Sequence, residues 1–191
     1  MGEDMDKIRL SDFLPLHKSL EGFYFFEVDA RTCSTRYLIV DGERRMLIDS
    51  GDGKDALDFI PDLVFLTHGH YDHTGGVRAD WPDVRIHEAE DESLPFVKIP
   101  QNVKRIGEGN IEFNKFSFEV ILTPGHTIGS ACLFERKMGI LFSGDTKFAD
   151  GGYGRTDLGG SDEEMEKSLA KIEKLPYRLL CPGHGRIEWR E

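Results

Sequence analysis

Five apolar runs in this chain share one ending. MLIDSGD (46–52), VFLTHGH (64–70), VILTPGH (120–126), ILFSGD (140–145) and LLCPGH (179–184) each close on a small residue, a glycine and a side chain able to bind metal. A buried strand that ends in a tight turn places its next side chain at the rim of its sheet, and glycine allows that turn without steric cost. Laid side by side, such strands would deliver Asp49, His68, His70, His126, Asp145 and His184 to one place. Functional groups on loops above a rigid scaffold are the usual form of such an arrangement. The runs recur at no fixed period, which excludes a repeat protein.

The second run leads into the densest stretch, THGHYDH (67–73), with three histidines and one aspartate in six consecutive residues. Imidazole nitrogen and carboxylate oxygen are ligands of zinc and similar divalent metals. Packed together without metal, these groups would lose solvation and repel one another when protonated. In an extended segment His68 and His70 point the same way, because side chains alternate. Asp72 and His73 follow the turn and can face a second ion. His126 and His184 could complete the two sets, and Asp145 could bridge them. Five of the seven histidines fall in these motifs. The other two, His17 and His87, read as ordinary solvated or hydrogen-bonded histidines.

The 191 residues predict one domain spanning 1–191, with apolar content (39%) and charged content (31%) that suit a globular chain. No apolar run approaches the roughly 20 residues of a membrane helix. The polar start MGEDMDKIRLSD lacks the apolar core of a secretory signal. The net charge of −11 disfavours a nucleic-acid partner. Cys33, Cys132 and Cys181 are widely spaced and odd in number, which excludes a disulfide framework and fits a reducing cytoplasm.

Strands are expected at 22–29, 34–41, 44–50, 62–67 and 84–88, and repeatedly across 111–143 and 177–181. Asp41-Gly42 marks a hairpin. Short helices are expected near 54–60 and from His73 towards Trp81. The helix over 161–175 is the clearest, with Ser161 as cap and Glu164 completing a capping box. Residues 90–110 carry no readable pattern.

THGHYDHTGG, LTPGHTIGS, FSGDT and LCPGHG resemble the motifs of the metallo-β-lactamase superfamily, over the chain from about residue 23 onward. FSGDTKFADGGYGRTDLGGS is similar to the branch holding hydroxyacylglutathione hydrolases (glyoxalase II) and persulfide dioxygenases. The resemblance implies an α/β fold, a four-layer αββα sandwich with the metal site at one edge between two sheets. It implies two divalent metals per chain, zinc first, with iron or a mixed zinc–iron pair as alternatives. His68, His70 and His126 would bind one metal, and Asp72, His73 and His184 the other, with Asp145 bridging. Asp49 matches an acid that supports the site from behind a ligand, and a simple turn-forming role is its alternative.

The function implied is hydrolysis of a hydroxyacylglutathione-type thioester by a metal-bridging hydroxide, with Asp72 and Asp145 as catalytic carboxylates. Arg155 stands where relatives hold glutathione with a basic residue, and Tyr153 and Phe148 are placed to line the pocket. A salt bridge from Arg155 to Asp150, Asp157 or Asp162, and plain aromatic packing, are the alternative uses. The chain resembles a short form without the C-terminal helical domain of the longer hydrolases. Alternatives of reaction are a mononuclear-iron persulfide dioxygenase, or hydrolysis of another ester, a lactone or a phosphoester. The partner expected is a small molecule, not a nucleic acid or a membrane.

Overall fold

Branched and aromatic residues decide where the chain is extended, and the direction of the strands decides where their ends meet. The structure is a computed structural model that describes residues 7–27 and 33–190. Residues 28–29 of the first expected strand and the first six residues of the polar start lie outside these.

In chain order the strands are β1 (Lys7–Ile8), β2 (Leu14–Pro15), β3 (Phe23–Phe26), β4 (Arg36–Asp41), β5 (Arg44–Ile48), β6 (Ala56–Leu57), β7 (Leu63–Leu66) and β8 (Val84–His87). They continue with β9 (Val103–Ile106), β10 (Gly109–Phe113), β11 (Phe116–Leu122), β12 (Ala131–Glu135), β13 (Ile140–Gly144), β14 (Leu179–Pro182) and β15 (Glu188–Trp189). The α-helices among the described residues are α1 (Tyr71–Thr74) and α2 (Asp162–Ile172), and Leu10–Asp12 forms a single 3-10 turn. Of the two large sheets, one has seven strands in the order β2-β3-β4-β5-β7-β8-β9 and the other six in the order β10 to β15, while β1 and β6 form a separate pair. Both large sheets are mixed. β5, β7, β8 and β9 run parallel, as do β13 and β14. Two antiparallel steps separate β11 from β13, so β11 shares their direction. The ends of β5, β7, β11, β13 and β14 therefore reach one rim.

The sheets pack face to face around Phe23, Tyr37, Met46, Phe65, Phe118 and Phe142 among others. At the rim they are stitched by backbone hydrogen bonds from Thr35 N–H to the Gly183 carbonyl (2.7 Å) and from Ala131 N–H to the Thr67 carbonyl (2.8 Å). On the outer face of the six-stranded sheet, Leu169 and Ile172 of α2 cover Ile121, Phe134, Leu141 and Leu180. Ser161 caps α2, its hydroxyl accepting the Glu164 N–H at 3.3 Å. On the outer face of the seven-stranded sheet the covering residues come from β1, β6 and loops rather than from an α-helix. There Ile8, Phe13, Leu57 and Trp81 cover Leu38, Leu47, Val64, Leu66, Val84 and Ile86.

Two expected helices are corrected. Near 54–60, Ala56–Leu57 forms strand β6, paired parallel with Lys7–Ile8. Ala56, Leu57, Phe59 and Ile60 have helical spacing, but Gly51 and Gly53 before them and Pro61 after them leave too short a run to sustain a helix. After His73, α1 is a single turn that begins at Tyr71 and ends at Thr74. Gly76 packs so closely on strand β5's continuation that a Cβ would lie 2.1 Å from the Ser50 carbonyl oxygen, which ties the chain there and stops the helix. The unreadable segment 90–110 contains β9, the edge of the larger sheet.

Phe142 shows what joins the sheets, since its ring meets Tyr37 at 5.1 Å and Phe118 at 6.3 Å between centroids. Phe142→Ala should cost about 3–5 kcal/mol, read as a lower midpoint in urea unfolding with the slope retained.

Candidate metal centre

The strand ends bring all seven expected donors together. One triad is His68, His70 and His126, and another is Asp72, His73 and His184, with the donor atoms of each within 4.8 Å of one another. Asp145 lies between them. Its carboxylate oxygens stand 3.4 Å from His126 Nε2 and 3.4 Å from His73 Nε2, and 3.7 Å from His184 Nε2. His184 Nε2 is 3.1 Å from Asp72 Oδ2. Such crowding demands small neighbours. A Cβ on Gly183 would lie 2.3 Å from Asp145 Oδ1, and one on Gly144, at φ +50°, would lie 2.7 Å from the Thr67 side chain.

The outer nitrogens of three rings are already committed. His126 Nδ1 donates to the Arg155 carbonyl at 2.7 Å, which can only accept. His73 Nδ1 lies 2.8 Å from Asp49 Oδ2. The Thr67 hydroxyl is 2.9 Å from Asp49 Oδ2, its acceptor, so toward His68 Nδ1 at 3.1 Å it accepts. With Nδ1 protonated, a neutral ring presents a bare lone pair at Nε2. Yet His68 Nε2 and His126 Nε2 face each other at 3.1 Å. Nitrogens each about 2.0–2.1 Å from one tetrahedral zinc would stand roughly 3.3 Å apart. Buried His70 Nε2, His73 Nε2 and Asp145 Oδ1 have no hydrogen-bond partner among the described residues. A divalent cation is what this donor set fits. Ring nitrogens oriented through a carboxylate, a hydroxyl or a carbonyl are the normal surroundings of metal-ligating histidine.

The electrostatics divide along the same line. Burial, together with neighbouring histidines, pulls His68 well below the ordinary value and His70 down to about 4. Burial also lowers His126. Burial would lower His73 too, but Asp49 and Asp145 outweigh it and raise the ring well above its ordinary value. His184 is raised in the same sense by Asp72 and Asp145. Burial would raise Asp145, and the surrounding histidines reverse that and hold it far below the usual carboxylate range.

A cavity of about 530 Å³ opens over the cluster, and Phe148, Tyr153 and Arg155 line it. Arg155 forms a bidentate pair with Asp157 at 2.7 and 2.6 Å, one of the alternatives its sequence left open. Its carbonyl, not its guanidinium, touches His126. Asp49 is buried with its carboxylate on His73 and Thr67. Of the remaining histidines, His17 bonds Ser19, and His87 is buried with Nδ1 accepting the Ala89 N–H.

Sequence reasoning missed Glu90. This buried carboxylate accepts the Gly69 N–H at 3.0 Å and the Thr127 hydroxyl at 2.7 Å. It thereby clips the His68-Gly69-His70 stretch to the loop of His126. Its signal was slight: it follows β8, which runs parallel to β7 and ends at the same rim. Tyr71 and Phe96, also on the cavity wall, had no signal.

A His/Asp cluster at the rim of a two-sheet α/β sandwich defines a divalent-metal protein. The chain belongs to the metallo-beta-lactamase superfamily, whose family model matches residues 34–184. It is 36% identical over 160 residues to a hydroxyacylglutathione hydrolase of Photorhabdus laumondii, covering 78% of this chain and 60% of that protein. The hydroxyacylglutathione hydrolase of Salmonella typhi is 34% identical over 158 residues, covering 75% and 58%. The chain thus spans about three-fifths of the length of these curated relatives. Among solved structures, TTHA1623 in a di-iron-bound form superposes with TM-score 0.63 at 29% identity, over 82% of this chain and 89% of that one. ETHE1 from Myxococcus xanthus shares the fold, with TM-score 0.66 at 23% identity over 87% and 79%. No helix among the described residues is long and apolar enough to cross a membrane.

Glu90→Ala would leave the Gly69 N–H and the Thr127 hydroxyl without their partner. The expected cost is about 1–3 kcal/mol, measured by urea unfolding of metal-free protein, with Glu90→Gln costing less.

Proposed function

We propose that the chain is a metal-dependent hydrolase of thioesters of the hydroxyacylglutathione type. The observation that carries this is the convergence of seven imidazole and carboxylate donors in two triads, with Asp145 between them. The identity with two hydroxyacylglutathione hydrolases supports the substrate class. In this reading His68, His70 and His126 would hold one ion and Asp72, His73 and His184 the other, with Asp145 as a ligand available to either. A donor set of imidazole and carboxylate suits zinc, and also suits iron or a mixed pair. Zinc is the proposed resident. What supports the hydrolase over an oxygen-dependent reaction at one iron is the identity with two hydroxyacylglutathione hydrolases.

When bound, divalent metal supplies Lewis-acid polarisation of a carbonyl and a water acidic enough to act as nucleophile near neutral pH. The chain's own groups do the rest. Asp49, Thr67 and the Arg155 carbonyl hold three rings with Nε2 turned inward. Asp72 and Asp145 are the proposed catalytic carboxylates, set among the donors that would hold the metal, and the water's proton would pass to solvent through the open cavity. The carbonyl carbon gains a bond to the water oxygen and loses its bond to sulfur. Sulfur departs as a thiolate whose conjugate acid has a pKa of about 8.5, so no separate general acid is required. Tyr153 and Arg155 are the proposed contacts for the thiol carrier. The Arg155–Asp157 pair is solvent-exposed and weakly held, so its guanidinium can turn to a substrate carboxylate.

Protein purified without chelator should carry two metal ions per chain by elemental analysis and release thiol from S-lactoylglutathione. One iron per chain with no thiol release would overturn the proposal. His126→Ala should lose metal and activity together. Asp49→Ala should weaken metal binding about 10–100-fold in a chelator competition. Arg155→Ala should raise KM while metal content stays at two.

A further inference from the structure

The cavity has two unlike rims. The loop after β13 supplies Phe148, Tyr153 and Arg155. The larger sheet supplies Tyr71, just after the first histidine pair, and Phe96, between β8 and β9. Both rings line the cavity and both are open to solvent, Tyr71 at 49% exposure and Phe96 at 61%. Exposed aromatic surface beside a candidate active site marks a place where a ligand is bound.

Phe96 is also strained. Its φ is +64°, a left-handed conformation that bulky side chains rarely adopt. The strain is held by bonds at Phe96 and just after it. The Phe96 carbonyl accepts the Tyr71 N–H at 3.3 Å, and the Lys98 N–H donates to the Gly69 carbonyl at 2.7 Å. Val97 bridges His70 across the same gap. Phe96 and the two residues after it are thus bonded to the backbone of the histidine motif, and the ring is held out at the cavity wall rather than turned into the core. Strain kept in place by surrounding bonds gathers at ligand sites.

We infer that Tyr71 and Phe96 form a wall for the acyl side of the substrate, and that the site favours 2-hydroxyacyl thioesters bearing an aryl group over those bearing a methyl. This rests on the thioesterase reading, which assigns the Arg155 rim to the thiol carrier and leaves the Tyr71–Phe96 rim to the acyl group. That rim offers aromatic surface to match an apolar substituent, and the Tyr71 hydroxyl is its one polar group.

The test compares S-mandeloylglutathione with S-lactoylglutathione on metal-loaded protein. They share the thiol and the hydroxyl and differ in phenyl against methyl. The mandeloyl ester should show the higher kcat/KM, chiefly through a lower KM. Phe96→Gly suits the positive φ, so it should keep the melting temperature while lowering the mandeloyl-to-lactoyl ratio at least fivefold. A ratio unchanged in Phe96→Gly, or a marked loss of melting temperature, would overturn the inference by showing that the ring serves packing. Calorimetric titration with mandelate and lactate reads the wall without turnover. If neither ester is cleaved, the thioesterase reading fails, and the wall stands or falls on whether mandelate binds at least fivefold tighter than lactate and loses that advantage in Phe96→Gly.

Discussion

The rim of this protein depends on one buried carboxylate. Asp49 sits just beyond β5 with φ +58° and accepts the Thr67 N–H at 2.8 Å, the Thr67 hydroxyl at 2.9 Å and a bond from His73 Nδ1 at 2.8 Å. A buried carboxylate is costly unless its lone pairs are satisfied, and these three donors come from the histidine motif itself. The charge therefore locks the start of that motif to the end of the neighbouring strand. His68 leans on the same Thr67 hydroxyl, so two rings of the cluster take their orientation from one acid. Burial would lower the His73 pKa, and Asp49 and Asp145 together reverse that.

The second sheet is brought to that rim by backbone bonds rather than by charge. The Thr67 carbonyl, on the residue whose amide bonds Asp49, accepts from Ala131 at the start of β12. Gly183, before the last histidine, exchanges bonds with Thr35 and Gly144. The Tyr37 hydroxyl, buried between the sheets, donates to the Pro182 carbonyl at 2.7 Å. The aromatic core sets the separation of the sheets, and these few bonds set their alignment at the rim. Glu90 does for the loop of His126 what Asp49 does for His73, and it connects two loops that no local pattern associates.

Much of this was legible in the chain. The runs ending in MLIDSGD, VFLTHGH, VILTPGH, ILFSGD and LLCPGH became β5, β7, β11, β13 and β14, because branched residues flanked by glycine turns fix both the extended conformation and its end. Helix α2 was readable from its cap and its acidic first turn. The helix expected towards Trp81 failed because Gly75-Gly76 is committed to contacts with residues 50–52, which lie more than twenty positions away. Residues 54–60 failed for a related reason, since Ala56–Leu57 finds its partner in β1, almost fifty residues earlier.

By itself the sequence determined the kinds of donor present, their place at strand ends and their arrival at a common rim. These follow from local rules: side-chain chemistry, the two-residue period of a strand, and the turns that glycine permits. The tertiary structure alone decided that His126 is oriented by a backbone carbonyl of Arg155, that Glu90 binds two distant loops, and that Phe96 is held strained at the cavity wall. Each joins segments about 20 to 40 residues apart, and no pattern within a single strand or turn encodes which distant atoms will meet once the sheets close on one another.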